Sequence, residues 1–265
     1  MLGTLMKYEF KAVGRILLPL YAAWFIVAII LGLSLRSDGT SDPNDMIIAL
    51  SAVLYAFATV AAVVITAIIL IQRFYKNLLG NEGYFMFALP VSTGKHLTNK
   101  IVSGAAWSFI GVLAAVLTAL AIGVSLEGFQ SVFDGIKFLV NDIQIMITDT
   151  PSTIIMIIEI IIIAVVALAE AAAKIYAAIS IGHQWGNHRI LGAILAYIGI
   201  GMAEGIIGGI IETIVFKLPL DWYWNMSSLG QAHLSVLLAL IACGLLLAIY
   251  WFISWKLLDK NLNLE

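Results

Sequence analysis

The chain has 265 residues, 62% of them hydrophobic and 11% charged, with a formal net charge of −2. A soluble domain carries about a quarter charged residues, so a soluble fold of this size could not cover its core, and a lipid-facing surface removes that need. The near-neutral balance gives no reason to expect a nucleic-acid partner. One cysteine, Cys243, excludes an internal disulfide and a cysteine-based metal cluster, and in its apolar run it reads as a small packed residue.

From the N-terminus, Leu2, Leu5, Met6, Phe10 and Val13 recur at helical spacing, with Lys7, Glu9 and Lys11 elsewhere. Residues 1–14 therefore read as an amphipathic elbow helix on the inner membrane surface. The apolar stretch 16–35 is longer than a signal-peptide core and no A-x-A pattern follows it, so it reads as a retained first span. About 20 apolar residues cross ~30 Å of hydrocarbon as a helix. Stretches 46–71, 101–124, 153–181, 190–216 and 234–255 qualify as well. Their continuous rather than alternating apolar character favours helices over a barrel. The expected fold is an all-α polytopic membrane protein, a single transmembrane domain over 1–265 with six transmembrane helices.

The connections set the orientation. With the N-terminus inside, Lys7, Lys11, Arg15, Arg73, Lys76, Lys95, Lys100, Arg189, Lys256 and Lys260 fall on the cytoplasmic side. Only Arg36, Lys137 and Lys217 fall outside. The positive-inside rule then places both termini in the cytoplasm of a multi-pass cell-membrane protein. The outer loop 125–151 carries a stripe of Val132, Phe133, Ile136, Leu139, Val140, Ile143 and Met146, with Asp134, Lys137, Asn141 and Asp142 opposite. It reads as a second surface helix, on the outside. Trp222, Trp224, Trp251 and Trp255 fit interfacial belts.

Known catalytic patterns are missing. The sequence holds no G-x-x-x-x-G-K-[ST], H-E-x-x-H or G-x-S-x-G. His96, His183, His188 and His233 are scattered; His183 and His188 share one short loop and read as wet polar residues. Charges within spans are more informative, since each costs roughly 2.5–3.5 kcal/mol at a helix centre on insertion scales. Glu170 and Lys174 are spaced to form an intramembrane ion pair. Glu159 and Glu212 fall near outer span ends, where water reaches them. Glu204 lies deep in the fifth span, within Gly201-x-x-x-Gly205-x-x-x-Gly209. Glycines at that spacing allow close helix approach, so these residues read as a translocation path, a subunit contact, or the start of a re-entrant segment.

The loop 73–100 gathers Tyr84, Phe85, Met86, Phe87 and Leu89 among charges. Exposed aromatics there imply a partner surface or the membrane interface. At Phe74-Tyr75-Lys76, Asn81-Glu82-Gly83-Tyr84 and Ala88-Leu89-Pro90-Val91-Ser92, with Lys100 opening the next span, the chain resembles ABC-2 type transporter permeases of Gram-positive bacteria. Lys174-Ile175-Tyr176 and Ser180-Ile181-Gly182 look similar to that family's fourth span. After Ser92 the chain departs from the pattern, with Thr93-Gly94-Lys95 where Arg or Lys usually follows at once.

The resemblance implies an exporter-like permease moving a peptide, drug or lipid-like substrate. It implies a coupling helix at about 77–87 that docks on a separate ATP-binding subunit, with Asn81, Glu82, Gly83, Tyr84 and Phe85 at the contact. It also implies a second permease copy or paralogue, no cofactor on this chain, and ATP and Mg in the partner subunit. The alternatives are a non-catalytic sensor or immunity protein binding a peptide outside and, further off, an intramembrane protease. The latter lacks adjacent glutamates and histidines placed inside spans.

Overall fold

The computed structural model describes residues 2–35, 45–80, 82–88, 90–146, 150–217 and 221–260. Arg36, Asn81 and Leu89, and the side chains of Leu139, Asp142, Ile143 and Met146, lie outside the described residues. Helices account for all the regular structure described: α1 (Leu2–Leu35), α2 (Asp45–Phe74), a π turn (Tyr75–Leu79), α3 (Gly83–Ala88), α4 (Thr93–Glu127), α5 (Phe129–Met146), α6 (Thr150–Gly182), a 3-10 turn (Gly186–His188), α7 (Arg189–Phe216), α8 (Asp221–Trp224) and α9 (Ser228–Lys260). Among the described residues, six helices are long and apolar enough to cross a membrane: α1, α2, α4, α6, α7 and α9. Their large apolar side chains are largely uncovered. On α6, Ile154, Ile155, Ile157, Ile158, Ile160 and Ile161 are all exposed, which hydrocarbon tolerates and water does not.

Several boundaries differ from those read off the sequence. The elbow and first span form one helix, because nothing between Leu2 and Arg15 breaks it; Pro19 is the only proline inside α1. Its buried residues Glu9, Val13, Leu17, Tyr21, Trp24, Ala28 and Leu31 form one stripe at three- and four-residue steps. Helix α4 begins eight residues before the apolar stretch does, and His96, Asn99 and Lys100 in that extra length are buried. The amphipathic segment expected within 125–151 is a helix, α5, entered through Gly128 at φ +89°, a conformation glycine adopts freely. The expected coupling helix over 77–87 is instead two pieces. The chain leaves the π turn at Gly80 with extended backbone and resumes at α3.

The chain divides into two compact units, one of Met1–Met6, Ile71–Ala105 and Ile155–Glu265, the other of Lys7–Leu70 and Ala106–Ile154. In the first, Phe74, Leu78, Leu97, Tyr176, Ala177 and Tyr250 belong to the core, and the Phe74 and Tyr176 rings stack at 4.1 Å. In the second, Leu17, Tyr21, Trp24, Ala62 and Trp107 pack together. Gly14 lets α1 approach Trp107, since a Cβ there would lie 2.8 Å from the indole.

Candidate functional site

The first unit contains a charged network within its spans. Glu204, 15 residues into α7, accepts hydrogen bonds from the Lys174 ammonium of α6 and the Tyr250 hydroxyl of α9. One carboxylate thus ties three apolar helices together. Removing such groups from water is offset only when they meet each other. Glu170 feels the charges of both Glu204 and Lys174, but the ion pair that Lys174 makes is with Glu204. The expected Glu170–Lys174 pair is therefore redirected. A neighbour one turn away on the same helix competes with a carboxylate fixed by a second donor from α9. The Lys174 ammonium also lies 5.3 Å from the centre of the Tyr197 ring.

Helix α7 is continuous through Glu204, which removes the re-entrant possibility. Its glycines do not share one environment. A Cβ on Gly201 would lie 3.9 Å from the Lys174 ammonium, whereas among the described residues Gly205 and Gly209 have nothing within 4 Å of theirs. Among the described residues, therefore, no helix seats on the small-residue motif along its length.

The polar loop has its own anchoring. Leu78 and Leu79 of the π turn are buried in the core, Gly83 is buried, and Phe87 packs on the same core. Tyr84 and Phe85 face outward, at 54% and 79% exposure. Glu82 is bonded to Lys76 at 3.0 Å on the surface. The π turn produces this arrangement. Its extra residue per turn brings consecutive leucines into the core and turns Lys76 outward.

Two features escaped the sequence reading. Glu159 on α6 and His233 on α9 meet at 2.7 Å. Both lie in the starting halves of their spans, the only signal that could have joined them. Tyr250 was the other, and a tyrosine hydroxyl deep in an apolar span needs a partner. His183, expected in a wet loop, is instead buried against Tyr75, ring centres 6.1 Å apart. Trp251 and Trp255 stack on each other beside the core, and the Trp251 indole N–H donates to Thr98 at 3.1 Å. Trp222 and Trp224 remain exposed on α8. Among the described residues no three His, Cys, Asp or Glu gather where they could hold a metal ion.

No family model, no curated protein and no solved structure matches this chain. The candidate site therefore rests on its geometry alone.

Proposed function

We propose that the chain is the membrane-spanning subunit of a transporter driven by a separate ATP-binding protein, as its resemblance to ABC-2 type permeases implies. One observation carries the reading: α3 presents Tyr84 and Phe85 outward while its neighbours Leu78, Leu79 and Phe87 are rooted in the core. A loop that met only water would not hold two aromatics out on so firm a base. The same core contains Tyr176 of α6 and Tyr250 of α9, so a push on α3 has a packed route to the Lys174–Glu204–Tyr250 network. In this reading the loop lies in the cytoplasm with both termini. The partner binds ATP and Mg, and its closure moves α3. The network breaks and re-forms as the spans exchange between inward and outward openings. The substrate is a peptide, a drug or a lipid-like molecule, exported by this chain with a second permease.

The test is a mild-detergent pull-down of the tagged chain from its own membranes, with co-purifying proteins sequenced. A stoichiometric partner carrying G-x-x-x-x-G-K-[ST] is expected, and Glu82→Lys or Phe85→Ala should release it. The Lys76–Glu82 pair is exposed and such pairs hold little stability, so loss of capture reports docking rather than unfolding. A clean preparation without an ATPase would sink the proposal. A second reading, a sensor that binds a peptide outside, is supported by α5. There Phe129 and Phe133 stack, exposed, at 6.1 Å, with Lys137 over the Phe133 ring.

A further inference from the structure

Within the spans of the first unit, two carboxylates compete for one ammonium. Glu170 and Lys174 lie four residues apart on α6, and Glu204 meets Lys174 from α7. The two carboxylates engage it differently. Glu204 accepts a hydrogen bond from the ammonium and another from the Tyr250 hydroxyl of α9. Glu170, half-buried, acts on both Lys174 and Glu204 through charge. A glutamate four residues before a lysine is the favoured order for a pair along a helix, so Glu170 offers a second seat one turn away, ~6 Å along α6. The ammonium also has a flank without a side chain. Gly201, three residues before Glu204 on α7, would bring a Cβ to 3.9 Å from it. In its present seat the ammonium stands 5.3 Å from the centre of the Tyr197 ring.

We propose that Lys174 is a latch with two seats: on Glu204 it ties α6 to α7, and on Glu170 it frees α7 while staying on α6. The number of charges makes the choice a close one. One ammonium faces two carboxylates, so either seat leaves one carboxylate without it, and neither seat removes a negative charge from the spans. With a single carboxylate the contact would be a fixed brace, since breaking it would strand a charge among apolar helices. With two, Lys174 moves by one turn, and Tyr250 still donates to the Glu204 it leaves. Two discrete arrangements of that kind make a bistable element, which lets packed helices part without passing through a stranded state. The seat on Glu204 is the one occupied in the structure and is therefore the major one. The latch does not rest on the transporter reading, because any parting of α6 from α7 would use it.

Fluorine NMR of the full chain in micelles, with 3-fluorotyrosine in place of Tyr197, tests the latch. The fluorine shift reports whether the ammonium stands over that ring. Saturation transfer and relaxation dispersion, which detect exchange on the μs–ms scale, should reveal a second state at roughly 1–10%, within the usual range for a minor conformer. Its shift should coincide with the main resonance of Glu204→Gln, which removes the charge holding Lys174 to α7. It should vanish in Glu170→Gln, which removes the second seat. Glutamine keeps the size of glutamate and an acceptor oxygen, so both variants retain the packing; were Glu204→Gln to unfold, the loss in Glu170→Gln would still decide. Glu212→Gln, which changes an exposed carboxylate of α7 outside the network, should keep the second state. A wild-type chain without that state, or a state that survives Glu170→Gln, would overturn the latch. So would its disappearance in Glu212→Gln, which would make it a general response to lost charge.

Discussion

The two units solve one problem, polar groups inside apolar helices, in different ways. In the second unit a set of bonds between spans joins neutral groups: the Tyr21 hydroxyl with Thr66 at 3.0 Å, the Trp24 indole with Thr59 at 3.0 Å, Tyr55 with Thr118 at 3.1 Å, and Ser34 with Ser51 at 2.6 Å. In the first unit they include the charged Lys174–Glu204 contact and the Glu159–His233 pair. Neutral bonds in a membrane average about 0.6 kcal/mol, because a hydroxyl can turn to its own helix when the partner is lost. Thr59 and Thr66 already do so, bonding the carbonyls of Tyr55 and Ala62. A carboxylate has no such fallback. The neutral bonds are therefore replaceable fastenings, whereas the charged network is a place where arrangement matters.

The comparison is most exposed to failure at Lys174. Lys174→Ala should destabilise the chain by about 3 kcal/mol, because it strands the Glu204 carboxylate among apolar helices. Adding Glu204→Met should recover most of that loss, since replacing both charges with apolar groups is often neutral. Unfolding by denaturing detergent in mixed micelles measures both. Under the proposed transporter reading, a double variant that recovers stability but not transport would make the network part of the mechanism and not merely a brace. Next in size, Tyr250→Phe should cost about 1.5–2 kcal/mol, the range for a hydrogen bond to a charged group. In the second unit, Trp24→Phe should cost only about 0.6 kcal/mol by the same titration. A Trp24 effect as large as that of Lys174 would erase the distinction between the units.

The smallest effect separates two meanings of an open surface. Gly209 has room for a Cβ, and alanine favours helix by up to about 1 kcal/mol over glycine. Gly209→Ala should therefore leave the monomer unchanged or slightly more stable. If the variant instead lowers the oligomeric state measured by light scattering, the Gly201, Gly205 and Gly209 face is where a second copy sits.

Much of this architecture was legible in the sequence. The six spans announce themselves because hydrocarbon demands long apolar runs. Their ends do not, because a helix continues into polar residues whenever these find cover, as His96 and Asn99 do at the start of α4. Glu204 stood out in the sequence by the expense of a charge in a span, but its partners Lys174 and Tyr250 did not. Glu170 is the neighbour that helical spacing offers to Lys174, and only tertiary packing brings α7 and α9 to it. The loop 73–100 was legible as a patch of aromatics among charges. Which of them face outward depends on the π turn, and the residues 75–79 carry no pattern that distinguishes it from an ordinary helical turn.

That π turn has a consequence for how the chain tolerates change. Five residues occupy it, Tyr75–Leu79, with the Gly80 N–H returning to the Tyr75 carbonyl at 2.8 Å. It amounts to one residue inserted into an α-helical register, and on a helix one residue is a rotation of about 100°. Deleting Asn77 would let the helix close into regular form, swing Leu78 out of the core and re-aim the exit toward α3. For this segment length is a stricter requirement than identity: many substitutions at the exposed positions would pass unnoticed, while the loss of one codon would turn the aromatic face away from whatever it meets.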